Sequence, residues 1–163
     1  MAETVTACVA LGSNLDDPRA QVERGFAALA VLPHTTLSAR SRLYRTKPWG
    51  KADQPDFVNA AARLETALAP RALLDALLAI EAGAGRVRGA RNGPRVLDLD
   101  LLLYGDRIID EPEFAVPHPR LHERAFVLLP LADVAPELEI PGHGRVRDLF
   151  ARVDTTGCVL LIA

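Results

Sequence analysis

Two aspartates stand in the leucine-rich stretch VLDLDLLLYG, residues 96–105. Side chains alternate between the two faces of a strand, so Asp98 and Asp100 are expected on the same face. Carboxylates this close repel each other and are costly to desolvate unless a cation lies between them. The aspartate face would also receive Leu102 and Tyr104, and the opposite face Leu97, Leu99, Leu101 and Leu103.

The residue types of this pair favour a metal site over two ordinary surface charges. A leucine-rich strand is expected near the centre of a sheet, where unpaired acids are uncommon. Mg²⁺ takes oxygen ligands and is typically held by one or two carboxylates together with substrate phosphates. We therefore predict that Asp98 and Asp100 bind magnesium. A solvent-facing strand edge is the alternative, and it is the usual interpretation of an isolated D-x-D.

A glycine- and arginine-rich segment, GAGRVRGARNGPR (83–95), leads into this strand. Guanidinium groups form paired hydrogen bonds with phosphate oxygens, so arginines opposite a metal suit a polyphosphate. The glycine spacing matches neither a P-loop nor a dinucleotide-binding fingerprint. A solvated loop and an RNA-contacting arm are the alternatives, and the aromatic content of 5% disfavours RNA. The arginines are Arg86, Arg88, Arg91 and Arg95.

Phe57 and Asn59, in DFVNA, are two positions apart and share one face of a predicted strand. An aromatic ring beside an amide can bind a flat heterocycle that carries hydrogen-bonding groups. Taken alone, a core phenylalanine beside a tolerated asparagine is the better interpretation of this pair.

The segment VPHPRLHERAF (116–126) gathers histidines and arginines around a turn. His118 and Arg124 are available for phosphate, whereas a zinc site of His118 and His122 is disfavoured because no third ligand lies nearby. Glu81 lies near the end of a predicted helix, where the helix dipole disfavours an acid. It is therefore expected either to be exposed or to pair with an arginine of the following loop.

The predicted elements bring these groups together. Hydrophobic periodicity and turn residues predict, in order, strand, helix, strand, strand, helix, strand and helix. This order predicts a ferredoxin-like α+β sandwich, with helices on one face of a mostly antiparallel sheet and the other face free for a site. The strands are expected at 4–12, 35–46, 56–66 and 96–105, and the helices after Asp17, after Pro70 and up to Pro136.

The composition is that of an ordinary globular domain: 163 residues, 49% hydrophobic and 25% charged, with a net charge of −2. This length predicts one domain over residues 1–163. The charge gives no signal for nucleic acid or a membrane, and no apolar run approaches the ~20 residues of a membrane span. The amino terminus does not resemble a signal peptide. Cys8 and Cys158 predict neither a disulfide framework nor a metal site, so a cytoplasmic location is expected.

Several of these motifs together resemble one enzyme family, the 6-hydroxymethyl-7,8-dihydropterin pyrophosphokinases of folate biosynthesis. The resemblance implies a ferredoxin-like α+β sandwich that transfers the β,γ-pyrophosphoryl group of ATP to the pterin's hydroxymethyl oxygen and releases AMP. ATP and the pterin are then the expected partners of a monomer. The matching motifs, in chain order, are LGSNL (11–15), YRTKPWG (44–50), QPDFVNAA (54–61), GPRVLDLDLLLYG (93–105) and VPHPRLHERAFVLLPL (116–131).

The resemblance also implies roles for individual residues. It implies that Asp98 and Asp100 hold two Mg²⁺ ions across the ATP phosphates and that Arg86 and Arg95 act with them in catalysis. The residues implied to bind the pterin are Thr46, Pro48, Trp49, Phe57, Asn59 and Phe126. Those implied to bind ATP are Glu81, Arg86, Arg88, Arg95, Leu101, His118 and Arg124.

Two other functions would use the same residues. A non-catalytic nucleotide- or RNA-binding module would keep its ligand when Asp98 is changed to asparagine, whereas the pyrophosphokinase would lose metal-dependent turnover. A monophosphoryl kinase or nucleotidyltransferase with the same metals would be distinguished by its products.

Overall fold

The computed structural model describes residues 3–15, 17–47, 55–84 and 96–161. No helix within these ranges is both long and apolar enough to cross a membrane. In chain order, the described elements are β1 (Val5–Ser13), α1 (Pro18–Ala30), β2 (Thr35–Arg40), β3 (Tyr44–Thr46), β4 (Phe57–Thr66), α2 (Pro70–Gly83), β5 (Asp98–Tyr104), β6 (Ile109–Glu111), β7 (Phe114–Val116), a 3₁₀ turn (Leu121–Glu123), α3 (Ala125–Val134), β8 (Glu139–Ile140), β9 (Gly144–Arg145), α4 (Val146–Phe150) and β10 (Cys158–Leu160).

The main sheet has six strands, and each pairing in it is antiparallel. β1 lies between β4 and β5. β4 pairs with β2 along one part of its length and with β3 along another, and β10 extends the sheet beyond β3. The helix α2 leads from β4 across β1 to β5, which is the split βαβ connection of a ferredoxin-like sandwich. The predicted α+β class is confirmed.

Apolar side chains pack against both faces of this sheet. On one face, α1 and α2 bury Phe26, Leu73 and Leu77 against the strands. On the other face, α3 buries Leu128 and Leu131 in a second core. The prediction that helices cover a single face is therefore wrong, because α3 is apolar around much of its circumference and gains stability by packing on the sheet.

The long strand predicted over 35–46 is interrupted at residues 41–43. The N–H of Ser41 donates to the carbonyl oxygen of Ala61, and Ser41 Oγ accepts from the Ala61 N–H at 2.8 Å. The N–H of Arg42 donates instead to the carboxylate of Asp133 on α3, at 3.1 Å. The break follows from a contact with a distant helix, which side-chain alternation cannot predict.

β5 carries one extra residue where it pairs with β1. The pairing omits Leu102, which lies between the paired residues Leu101 and Leu103. A bulge of this kind moves the side chains that follow it to the other face. Leu103 accordingly packs in the α3 core, and Tyr104 packs in the core of α1 and α2. The predicted faces of Leu103 and Tyr104 are therefore wrong.

Candidate active site

Asn59, Gly12 and Asp98 lie side by side on three neighbouring strands. Gly12 of β1 is paired with Asn59 of β4 and with Asp98 of β5. Directly paired residues point to the same face, and neighbouring strands are about 4.8 Å apart. The backbone positions of the amide and the aspartate are therefore about 10 Å apart across the sheet. Both lie on the face that carries α3.

The Asn59 amide is held by the adjacent strand β3. Thr46 Oγ1 donates a hydrogen bond to Asn59 Oδ1 at 2.6 Å, and Thr46 is itself buried. Thr46 is also the strand partner of Phe57, whose half-buried ring shares a face with Asn59. The ring and the amide thus share one surface, which is the arrangement that the second of the two interpretations of this pair, binding of a flat heterocycle, requires.

Two residues of the LGSNL motif shape this surface and were missed by sequence reasoning. A β-carbon at Gly12 would lie 3.1 Å from Asn59 Nδ2, so glycine leaves the space that the amide needs. Asn14 is 1% exposed, and its Nδ2 donates to the carbonyl oxygen of Pro55 at 3.1 Å. It therefore ties the turn after β1 to the start of β4. The sequence contains one signal that could have indicated these two residues, which is the presence of a glycine and an asparagine at the end of a predicted buried strand.

Asp98 and Asp100 are both half-buried on β5. Between them, the N–H of Leu99 donates to Glu81 Oε2 at 2.7 Å. Glu81 is 4% exposed, so the expectation of an exposed Glu81 is wrong. The carboxylate is drawn inward because it satisfies a backbone donor that β1 does not pair. This bond fixes the segment of β5 that carries both aspartates. Pairing of Glu81 with an arginine of the 85–95 loop lies outside the described residues.

Two basic side chains of the 116–126 segment, those of His118 and Arg124, lie near these acids. The N–H of His118 donates to a carbonyl oxygen of β5 at 3.0 Å, and His118 Nδ1 accepts from the Arg120 N–H at 3.4 Å. Burial lowers the pKa of His118, Arg124 acts in the same direction, and Asp98 opposes them. Burial and then Arg120 lower the pKa of Arg124, while Asp100 and Asp98 raise it. The two aspartates therefore lie within electrostatic range of His118 and Arg124.

Phe126 and Leu101 differ in their placement. Phe126 lies in the first turn of α3, is half-buried, and has the guanidinium carbon of Arg124 5.5 Å from its ring centroid. Leu101 is 5% exposed and packs in the core of α1 and α2, on the face opposite the aspartates. Phe126 thus lies against Arg124, which is within electrostatic range of the acids, whereas the Leu101 side chain lies on the other face.

The donor chemistry of the aspartate pair suits a hard divalent cation. In the part of the chain that the structure describes, no group of three or more His, Cys, Asp and Glu side chains could hold a metal ion. Two carboxylates on one strand face suit Mg²⁺, which takes its remaining ligands from phosphate and water. The other predicted site residues lie outside the described ranges: Pro48, Trp49, Arg86, Arg88 and Arg95.

A family model described as 7,8-dihydro-6-hydroxymethylpterin-pyrophosphokinase (HPPK) matches residues 8–136. The chain belongs to this family. The pyrophosphokinase match extends from β1 to just beyond α3, so it includes every site residue described above. It stops before the hairpin of β8 and β9 and before β10.

Two bacterial relatives share most of their length with this pyrophosphokinase. The 2-amino-4-hydroxy-6-hydroxymethyldihydropteridine pyrophosphokinase of Pseudomonas aeruginosa is 54% identical over 143 residues, which are 88% of this chain and 88% of that protein. The protein of the same name from Haemophilus influenzae is 46% identical over 145 residues, 89% of this chain and 91% of its own.

A solved structure shares the fold of this pyrophosphokinase. The wild-type HPPK-DHPS of Plasmodium falciparum has a TM-score of 0.73 with 93% of this chain covered, at 15% sequence identity. The chain spans only 43% of that longer protein, so this comparison concerns the fold alone.

Proposed function

We propose that this chain transfers the β,γ-pyrophosphoryl group of ATP to the hydroxyl of 6-hydroxymethyl-7,8-dihydropterin, giving the pterin diphosphate and AMP. The observation that carries the proposal is the alignment of Asn59, Gly12 and Asp98 across three strands. This alignment places two groups on one face of the sheet, about 10 Å apart. One is the surface formed by the Phe57 ring and the Asn59 amide, called the ring-and-amide surface below, and the other is the carboxylate pair. This spacing suits a bicyclic heterocycle whose reacting arm points towards metal-bound phosphates.

The proposed pterin site is the ring-and-amide surface. An aromatic ring stacks on the flat face of the heterocycle, and an amide bonds its polar edge. The hydrogen bond from Thr46 orients the Asn59 amide before the ligand arrives, which reduces the ordering required on binding. The residues assigned to this site are Thr46, Pro48, Trp49, Phe57, Asn59 and Phe126.

The proposed nucleotide site is the carboxylate pair with the basic side chains beside it. Asp98 and Asp100 would hold two Mg²⁺ ions, which when bound neutralise charge on the phosphates. His118 and Arg124 lie beside these acids and would bind phosphate oxygens. The residues assigned to ATP are Glu81, Arg86, Arg88, Arg95, Leu101, His118 and Arg124.

Glu81 and Leu101 are assigned indirect parts in this site. Glu81 holds β5 through the Leu99 N–H, at the strand edge that faces away from β1. Alternate residues of an antiparallel strand direct their backbone groups to the same edge. Leu101 therefore presents its backbone to that edge, and we assign its contact with the nucleotide to the backbone, since its side chain is buried in the core.

The proposed reaction is an in-line displacement at the β-phosphorus. The pterin hydroxyl oxygen bonds to this phosphorus, the bond to the α–β bridging oxygen breaks, AMP leaves with that oxygen, and the hydroxyl proton passes to solvent. Such transfers need positioning and charge stabilisation rather than covalent work by the protein. Arg86 and Arg95 are proposed to stabilise the phosphate charge of the departing AMP.

We further propose a monomer with one domain over residues 1–163 that acts in the cytoplasm, without nucleic acid or a membrane as partner. Cys8 is a free cysteine that serves as a core residue. It is fully buried, and this burial raises the pKa of its thiol to about 12. A thiol in this state is unreactive towards oxidants and metals.

Product analysis tests the proposal. The protein is incubated with ATP, Mg²⁺ and 6-hydroxymethyl-7,8-dihydropterin, and AMP is separated from ADP by chromatography. We expect AMP to form only when the pterin is present. ADP would instead indicate a monophosphoryl kinase, and folded protein that converts no nucleotide would indicate a binding module.

The variant Asp98→Asn adds a metal-specific test. We expect it to lower kcat at least about a hundredfold. The change replaces one of the two carboxylates with a neutral amide, which cannot neutralise the charge of a bound metal ion. Asp110→Asn is the matched control, since Asp110 is exposed on β6 and contributes nothing to the site. Equal activity of the two variants would contradict the assigned role of Asp98.

A further inference from the structure

Two histidines stack outside the site described so far. His122 lies in the 3₁₀ turn and His143 in the hairpin of β8 and β9. Their ring centroids are 3.9 Å apart and their planes differ by 11°. His122 belongs to the segment that carries His118 and Arg124, whereas His143 lies beyond the family match, which ends at residue 136. The stack therefore joins the site segment to a part of the chain with no assigned role.

The hairpin is a firm support for this stack. The N–H of His143 donates to the carbonyl oxygen of Ile140 at 2.9 Å, and the Val146 N–H donates to that of Leu138 at 2.9 Å. Ile140 and Val146 are both fully buried in the α3 core. Since its base is anchored in a core, the hairpin holds the exposed His143 ring in a defined position.

On the other side of the stack, contacts continue to the site. His122 Nε2 lies 3.4 Å from Glu123 Oε1, and the other oxygen of Glu123 lies 3.7 Å from Arg120 Nε. The Arg120 N–H donates to Nδ1 of His118. A row of contacts thus runs from the hairpin to the imidazole that faces the acids. His122 Nδ1 is buried, and no described residue hydrogen-bonds to it, so stacking and Glu123 are what orient this ring.

A metal site does not explain the pair. Two rings stacked face to face direct their nitrogen lone pairs in parallel planes, not towards one ion, and the described residues hold no group of three metal-binding side chains. We infer that His143 is a positioning residue for the site: by stacking on His122 it holds residues 118–124 in the arrangement that presents His118 and Arg124 to the nucleotide. This inference rests on the proposed function.

Equilibrium binding to His143→Ala and His143→Phe tests the inference. The nucleotide probe is α,β-methylene-ATP with Mg²⁺, which lacks the bond that the reaction breaks, and the second probe is the pterin. We expect His143→Ala to raise the Kd of the nucleotide about two- to tenfold, the range that loss of an aromatic pair would give. The Kd of the pterin should not change, and His143→Phe should restore nucleotide binding because it retains the stack. Glu139→Ala, an exposed position of the same hairpin, is the control.

Hydrogen exchange provides a measurement that needs no turnover. Amides of residues 118–124 should exchange faster in His143→Ala than in the parent chain and in His143→Phe. Unchanged exchange in this segment, equal losses for both ligands, or no recovery with phenylalanine would each overturn the inference. Absence of AMP formation by the parent chain would overturn the proposed function instead, and the exchange result would then still report on the stack.

Discussion

Gly12 and Asn59 face each other across neighbouring strands, and a β-carbon at position 12 would lie 3.1 Å from Asn59 Nδ2. This contact is shorter than most β-carbons make, so the amide would have to move. We expect Gly12→Ala to weaken pterin binding about five- to 150-fold, which corresponds to ~1–3 kcal/mol of overpacking. Calorimetric titration with the pterin measures this loss.

Gly83→Ala is the matched control for this change. Gly83 is the last residue of α2, and a β-carbon there would have no atom of the described residues within 4 Å. We expect it to leave binding unchanged and to preserve stability, since alanine favours helix more than glycine does. Similar pterin affinities of the two variants would show that Asn59 has room to move.

The hydroxyl of Thr46 provides a second test of the amide surface. Thr46→Val keeps the shape of the side chain but removes the donor to Asn59 Oδ1. We expect pterin binding to fall by about 1–3 kcal/mol, because an amide oxygen loses its partner and the amide loses its orientation. Thr46→Ser retains the donor and should bind the pterin nearly as the parent does. If the serine and valine variants bind equally weakly, packing rather than the hydrogen bond determines affinity.

Phe57→Ala should separate the two ligands. Phe57 is half-buried beside Asn59, on the heterocycle side of the site. We expect a loss of about 1–3 kcal/mol for the pterin, typical of removing one stacking ring, with little change for α,β-methylene-ATP. Phe150→Ala, on α4, makes the same chemical change away from the site. Equal losses for both ligands would show that Phe57 serves only the core.

Asp133 connects α3 to the edge of the sheet and should make stability depend on pH. It accepts hydrogen bonds from the N–H and guanidinium of Arg42 and from the hydroxyl of Tyr44. Burial alone would raise the pKa of Asp133, but the bonds from Arg42 and Tyr44 outweigh it and hold the pKa below its usual 3.8. A carboxyl of this kind stabilises the fold above its unfolded pKa, and the stabilisation is lost as the pH falls through the folded pKa.

We therefore expect Asp133→Asn to lower the free energy of unfolding at pH 7 by about 1–3 kcal/mol. The difference from the parent should shrink below about pH 4, where the parent's carboxyl takes up a proton. Urea unfolding between pH 7 and pH 3 measures both effects. Tyr44→Phe removes one of the donors and should cause a smaller loss. Parallel stability curves at all pH values would contradict this role of Asp133.

Local patterns predicted much of the fold and of the site. The apolar periodicity of β1 and α2, Pro18 after Asp17 and the alternation around Phe57 are all encoded within a few residues, so they could be interpreted from sequence. In the structure, the Asp17 carboxylate accepts a hydrogen bond from the Ala20 N–H at 3.4 Å and so caps the start of α1. The paired aspartates were equally visible, because acids in a leucine-rich strand are uncommon.

What could not be predicted depends on contacts between residues far apart in the chain. The break at residues 41–43 requires Asp133, and the burial of Glu81 requires the Leu99 N–H of another element. The need for glycine at position 12 is apparent only from the side chain of Asn59, which lies opposite it on the neighbouring strand. Each of these is a property of tertiary packing, which overrides local propensity.

At the bulge around Leu102, the alternation of side chains along β5 shifts by one residue: even-numbered residues face α3 before it, and the odd-numbered Leu103 faces α3 after it. Before it, the strand presents acids on the α3 face, and after it, Leu103 takes the same face while Tyr104 reaches the carbonyl oxygen of Leu68 in the opposite core. Without Leu102, strict alternation would place Asp98, Asp100 and Leu103 on the α3 face and Tyr104 on the other face, which is where the bulged strand also places them. The bulge thus adds one residue to β5 without disturbing the register of the acids or of the tyrosine against β1, and a strand one residue shorter at this point should keep both the site and the core.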